Sequence, residues 1–223
     1  MHPCCMSRIQ DLRRGRYALL LVLAGRPGTG KTTLGKLLTA ELGAAYLRAD
    51  AMVMPLMRSR LTEDPAEAAR AAYEVAPEVA AENLQVGRSV VFDGLNATHT
   101  QRAAWGPVAI REGADLLMVE TTLSDPEEHQ RRVNERQGES EGYLGPLWDS
   151  IQTYPYDPWD EARNGPHLVV DMSDARAGLR VVMSRVRELR NRLDVAAPKE
   201  RLINQTPAFS LMAMSGRFQR KPA

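Results

Sequence analysis

Five short apolar runs divide the chain, each giving way to a more polar stretch with helical spacing. The runs fall in Tyr17 to Ala24, Ala45 to Arg48, Ser89 to Asp93, Asp115 to Thr121 and His167 to Asp171. Their apolar residues, as in LLLVLA and SVVF, are continuous rather than alternating with polar ones, which predicts strands covered on both faces. Helices are predicted over Lys31 to Leu42, Pro65 to Val86, Thr98 to Glu112, Pro126 to Arg136 and Ala175 to Leu193. The last has the clearest pattern: Leu179, Val182, Val186, Leu189 and Leu193 share one stripe, and Arg180, Arg185, Arg187 and Arg190 lie off it. That stripe reads as core and needs no functional role. Strands alternating with helices predict an α/β fold of three layers, a five-stranded parallel sheet with helices on both faces.

The first strand ends in GRPGTGKT, Gly25 to Thr32, which matches G-x-x-x-x-G-K-[ST] at every fixed position and opens the first helix. Gly25, Gly28 and Gly30 allow the backbone to wrap closely, with Pro27 and Thr29 between them and Thr33 just beyond. Main-chain N–H groups and the positive end of the helix dipole then favour a polyphosphate. Lys31 reaches the β- and γ-phosphates, and the Thr32 hydroxyl ligates Mg2+. The expected ligand is therefore a nucleoside triphosphate, ATP with Mg2+, on a P-loop NTPase fold.

A phosphate socket does not name a reaction. A GTPase would carry an N-K-x-D guanine motif, which is absent, and an oligomeric motor would end its second core strand in Asp-Glu where this chain has VVFDG. Phosphoryl transfer to an acceptor remains. In-line attack by a hydroxyl needs a carboxylate that takes or orients its proton. Asp50, after AAYLRA, and Asp93, ending SVVFD, both fall at the strand edge where doubly wound sheets bind ligands. Asp50 could instead be the N-cap of a following helix. Asp93 could hold Mg2+.

Further along, Asp125 as N-cap, Pro126 at the first helical position and Glu128 three residues after the cap form a predicted capping box. Glu127 can pair with Arg131 and Glu128 with Arg132. Arg136 has Arg132, not an acid, four residues before it. Two arginines one turn apart favour an anion between them, so Arg132 and Arg136 are candidate phosphate clamps.

GRPGTGKTT, RAD at 48–50, VVFDGLNATHTQRAAW and EEHQRRVNERQ together resemble the small P-loop kinases of the polynucleotide-kinase, gluconate-kinase and chloramphenicol-phosphotransferase type, described as AAA-domain ATPases. The resemblance spans residues 17–193. It implies an acceptor-side base at Asp50 and metal or acceptor contact at Asp93. It also implies acceptor-side roles for Asn96 and Arg102, at a longer spacing than in the family, and lid arginines at Arg132 and Arg136.

Composition adds limits. At 223 residues, 43% hydrophobic and 26% charged, the chain suits one domain. This domain is expected at 17–193 with a lid over 125–165, between an N-terminal extension at 1–16 and a tail at 194–223. The two cysteines, Cys4 and Cys5, are adjacent and can staple no useful loop, which suggests a cytoplasmic setting. No apolar run reaches the roughly 20 residues of a membrane span. Residues 196–223 carry five basic side chains and one acidic, a net of +4 against +1 for the chain, so the remainder is −3.

Residues 137–165 are rich in Gly and Pro yet hold Tyr143, Trp148, Tyr154, Tyr156 and Trp159. Aromatic faces there suit a sugar, nucleoside or antibiotic-like ring, with Tyr154 as a candidate contact. The plainer alternative is that the rings pack an irregular loop onto the sheet. The favoured acceptor is thus a small-molecule hydroxyl. A 5′-hydroxyl of RNA or DNA is possible but not favoured, and a nucleotide-dependent interaction module with slow ATPase activity is the reading from another class. Oligomeric state is open.

Overall fold

The computed structural model describes residues 18–139, 148–151 and 153–195, with the side chains of 136–139 and 192–195 outside the description. Cys4, Cys5, Tyr143, the expected extension at 1–16 and the tail from 196 onward also lie outside the described residues.

Five strands form one parallel sheet: β1 (Leu19–Ala24), β2 (Ala45–Arg48), β3 (Val90–Asp93), β4 (Asp115–Thr122) and β5 (His167–Asp171). Their spatial order is β2-β3-β1-β4-β5. The expected P-loop NTPase fold, a three-layer parallel sheet covered by helices, is therefore present. The glycine loop leads into α1 (Lys31–Leu42); then come α2 (Ala49–Arg58), α3 (Pro65–Gln85), α4 (His99–Ala103), α5 (Trp105–Glu112), α6 (Pro126–Glu139), the short α7 (Trp148–Ile151) and α8 (Glu161–Asn164), and α9 (Ala175–Val195).

Continuous apolar runs are explained by the two cores. Alternate residues of a strand point to opposite faces. Leu20 and Val22 face Ala76, Ala80 and Leu84 of α3 and Trp105 and Val108 of α5, while Leu19, Leu21 and Leu23 face Leu34 and Leu38 of α1 and Val182 and Val186 of α9. Every residue of β1 is buried, so the strand that carries the phosphate loop is fixed from both sides.

Three helix expectations are corrected. The segment predicted as one helix from Thr98 to Glu112 is two, α4 and α5, meeting at Ala104. Pro107 has no N–H to donate to the carbonyl of Ala103, so the ladder cannot run through that point. Residues 49–58, for which no helix was expected, are helical, with Ala49, Met52, Val53, Leu56 and Met57 on the covered face. Asp50 is not the N-cap of α2: Arg48 occupies that position and Asp50 sits in the first turn.

Candidate active site

The phosphate loop is shaped by close approaches that only glycine tolerates. Gly25 has φ +135°, and a Cβ there would lie 2.5 Å from the carbonyl oxygen of Thr121; Gly28 has φ +83°, and its Cβ would lie 2.6 Å from Cγ2 of Val133 on α6. The outside of the loop is anchored by side chains. The Thr29 hydroxyl donates to the carbonyl of Arg26 at 2.8 Å and lies 2.7 Å from Thr121 Oγ1. His129 Nε2 is 2.7 Å from the carbonyl oxygen of Pro27. Thr29 therefore ties the loop to β4 through its side chain. Gly30 and Lys31 begin α1, where Lys31 Nζ donates to the carbonyls of Gly25 and Arg26, each at 2.8 Å. The lysine is thus folded into the curl of the loop. Thr33, one residue past the motif, is exposed on α1.

The Thr32 hydroxyl donates to Asp93 Oδ2 at 2.8 Å. The same oxygen accepts from the Tyr46 hydroxyl at 2.6 Å, and Arg48 Nε lies 3.9 Å away. Asp93 is 3% exposed, so these donors hold its carboxylate in one orientation. Burial first, and then the bond to Asp93, pushes the Tyr46 hydroxyl above its ordinary pKa, keeping it protonated as a donor. A hydroxyl beside a carboxylate at a helix start is an all-oxygen donor set, which suits Mg2+ shared with phosphate oxygens. Among the described residues, no cluster of three or more His, Cys, Asp or Glu could hold a metal without such a ligand.

Asp50 lies on the neighbouring edge, its carboxylate 2.7 Å from Arg48 Nη2 and 65% exposed. Arg48 thus links the two acids expected to serve the acceptor: Nη2 on Asp50 and Nε toward Asp93.

Asn96 and Arg102 do not face the cleft as the resemblance implied. Asn96 is fully buried with φ 44°, a left-handed position that Asn adopts more readily than most residues. Its amide donates to the Leu23 carbonyl at 2.6 Å and accepts from Trp105 Nε1 at 3.0 Å. Arg102 is 1% exposed and donates to four main-chain carbonyls, those of Asn96, Ala97, Asp157 and Pro158. Its guanidinium also lies 4.8 Å from the Tyr156 ring centre and 4.6 Å from that of Trp159. Both residues therefore hold the loop after β3 and the segment 154–159 in place. Arg102→Ala is expected to lower stability by about 2–4 kcal/mol, because several buried carbonyls lose their donor together; chemical denaturation checks this, and the fall should exceed that for an exposed arginine such as Arg70.

The lid helix also differs from expectation. Asp125 caps α6, accepting from the N–H groups of Glu127 and Glu128 at 2.9 and 3.2 Å. Glu128, however, turns outward to Arg131 and Arg132, at 2.7 and 2.6 Å, rather than closing a capping box. Those two arginines draw its pKa down to about 2. Arg131 pairs with Glu128 and Glu135, not with Glu127. Arg132 also donates to the Met172 carbonyl at 3.0 Å, and Met172 lies against Gly30. Arg132 is thus close to the phosphate loop with protein partners on its donors, and a clamp on phosphate requires it to exchange them. The Arg136 side chain lies outside the described residues.

The aromatic segment is anchored onto the loop. Arg26 Nη1 donates to the carbonyls of Ile151 and Tyr154 at 2.9 and 3.0 Å. Tyr154 contributes that carbonyl, and among the described residues its ring has no aromatic or cation contact. Trp159 stacks on His167 with centres 4.0 Å apart, and the Tyr156 hydroxyl donates to Glu120 at 2.7 Å. A cavity of about 500 Å³ lies between this segment, the end of β4 and the start of α6, with Arg26, Glu120, His129, Trp148 and Tyr156 on its walls. Sequence reasoning missed Arg26 and Glu120. Glu120 lies two residues before the end of β4 and pairs with Ala24, the last residue of β1, so it falls close to the same edge as Asp93.

The sequence model of the AAA domain matches residues 20–144, more than half of the chain and all of the sheet edge just described except β5. The chain belongs to the AAA-domain family. Solved structures share the fold of this AAA-domain protein at low identity. A protein of Chloroflexus aurantiacus, provisionally described as a kinase, superposes with a TM-score of 0.61 at 20% identity over 78% of this chain and 98% of its own. Kti12 of Chaetomium thermophilum, in complex with ADP-AlF3, gives 0.58 at 21% over 76% and 97%. A gluconokinase of Sinorhizobium meliloti gives 0.52 at 19% over 78% and 98%. No curated protein matches by sequence. The fold is that of small P-loop kinases. None of the helices among the described residues is long and apolar enough to cross a membrane.

Proposed function

We propose that this AAA-domain protein is an ATP- and Mg2+-dependent phosphotransferase that moves the γ-phosphate onto a hydroxyl of a small molecule. The observation that carries the reading is the single sheet edge on which the phosphate loop, the Thr32–Asp93 pair at 2.8 Å and the Arg48–Asp50 pair at 2.7 Å stand together. Similarity to a gluconokinase and to a kinase-like protein supports the same class of reaction.

Loop N–H groups and Lys31 bind the triphosphate and neutralise charge that builds on the terminal group. Thr32 and Asp93 would hold Mg2+, which supplies Lewis-acid neutralisation of the phosphates when bound. Arg48 donates to the Asp50 carboxylate and orients it on that edge. The acceptor oxygen attacks the γ-phosphorus, its proton passes to Asp50, and the bond from that phosphorus to the β–γ bridging oxygen breaks, releasing ADP. Arg132 and Arg136 serve as lid clamps once Arg132 leaves Glu128 and the Met172 carbonyl.

A coupled ADP-release screen over sugars, nucleosides, aminoglycosides and oligonucleotides tests the proposal. At least one hydroxyl compound should raise ADP production well above the rate with water alone. If only 5′-hydroxyl oligonucleotides do so, the acceptor is a nucleic acid. If none does while ATP still binds, the protein is a nucleotide-dependent interaction module.

A further inference from the structure

The cavity beside Arg26 has a chemistry that narrows the acceptor, an inference that rests on the kinase reading above. Its volume of about 500 Å³ lies within the range of small-ligand sites. It is closed on one side by residues 148–151 and 153–159, which Arg26 fastens to the phosphate loop and Arg102 and His99 fasten to the loop after β3. His99 contributes its main-chain N–H, donated to Asp157 Oδ2 at 2.9 Å.

Charge on the described lining is limited to one acid and one arginine, Glu120 and Arg26, with His129 the one histidine. Arg26 already directs a nitrogen at two carbonyls and its guanidinium lies 5.4 Å from the Tyr156 ring centre. Glu120 Oε1 accepts from Tyr156, and Oε2 lies 3.3 Å from His167 Nε2. A carboxylate offers about four lone-pair directions, so capacity remains for hydroxyl donors from a ligand. An anionic ligand would meet Glu120 unfavourably. Trp159 is packed between His167 and Arg102, and Tyr156 lies against both arginines, so these rings stiffen the wall rather than stack a ligand. Trp148, edge-on to His129 at 5.2 Å, is the ring that remains to cover an apolar ring face.

Register gives the length. Glu120 pairs with Ala24 on one side of β1, and Asp93 pairs with Leu23 on the other. Being one residue out of step, these two side chains leave the sheet on opposite faces, so a molecule that touches Glu120 and presents a hydroxyl on the Asp93 side passes over the strand ends and spans no less than two strand spacings, roughly 10 Å. We propose that the cavity receives the non-reacting ring of an uncharged, hydroxyl-rich acceptor at least two rings long, of nucleoside or disaccharide size, with Glu120 accepting its hydroxyl hydrogens and Trp148 covering its face.

The test uses the full-length protein and two variants, Glu120→Gln and Trp148→Ala. Uncharged nucleosides and disaccharides are compared with nucleoside monophosphates and oligonucleotides, by coupled ADP release with ATP and by calorimetric titration onto the AMPPNP-bound protein. Uncharged compounds should be the turned-over acceptors. Each variant should raise their KM about tenfold, the loss expected for a hydrogen bond to a charged group or a comparable ring contact, with kcat changed less than about threefold and AMPPNP affinity kept. Turnover with unchanged KM in both variants, or preference for anionic acceptors, overturns the cavity assignment and leaves the kinase reading standing. If no compound of this set binds or raises ADP release, the cavity assignment falls, and the kinase reading falls with it only if the wider acceptor screen is also silent.

Discussion

Lys31→Ala is expected to lower phosphoryl transfer about 10²–10³-fold, the usual loss when one preorganised donor to a transition-state oxyanion is removed. The residue's placement argues for an effect on the chemical step as well as on binding. Its ammonium lies against two carbonyls of the loop itself, at 2.8 Å each, so it is held inside the curl before any ligand arrives. A bound triphosphate replaces these carbonyls with phosphate oxygens. The transferred group gains charge along the reaction path, and a fixed cation beside it is worth more at the transition state than in the ground state. Steady-state kinetics beside fluorescent-nucleotide titration checks this: kcat should fall by more than nucleotide affinity does. Equal losses in both would make Lys31 a binding residue only.

Asp50→Asn is expected to reduce kcat by about 10²–10⁴-fold while nucleotide still binds, since removal of a positioned general base typically costs that much. Asparagine preserves the size of the side chain and can still accept from Arg48, so the fold and the Arg48 contact should survive. The charge and the capacity to take a proton are lost. The position in the first turn of α2 also matters, because the positive end of a helix favours a charged carboxylate there. Measurement of kcat with a confirmed acceptor, alongside AMPPNP affinity, separates the roles. Full turnover in the variant would remove Asp50 from the mechanism and leave Asp93 as the acid beside the acceptor.

Strand β1, its loop and α1 were legible in the sequence because their signals are local. An unbroken apolar run, fixed glycine spacing and a helix start lie within two dozen residues, and the observed α1 has the predicted bounds. The Thr32–Asp93 contact followed once the sheet order brought β3 beside β1. Helix α2 was missed although Ala49, Met52, Val53, Leu56 and Met57 fall on one stripe, because Pro55 within it reads as a helix breaker. Asn96 and Arg102 were misread for a different reason. Their side chains look free in sequence, yet their partners, Leu23 and Trp105 in one case and Asp157 and Pro158 in the other, are tertiary. The aromatic segment followed the same rule: its rings were visible, but the arginines between them were not.

The most direct test of the account is a crystal structure of the full-length protein with AMPPNP and Mg2+. The account predicts the phosphates within the curl of residues 25–32, the ion on the Thr32 hydroxyl, and the terminal phosphate turned toward the Asp50 carboxylate. A loop left empty at saturating nucleotide, or an Asp50 carboxylate directed away from the bound triphosphate, would contradict it.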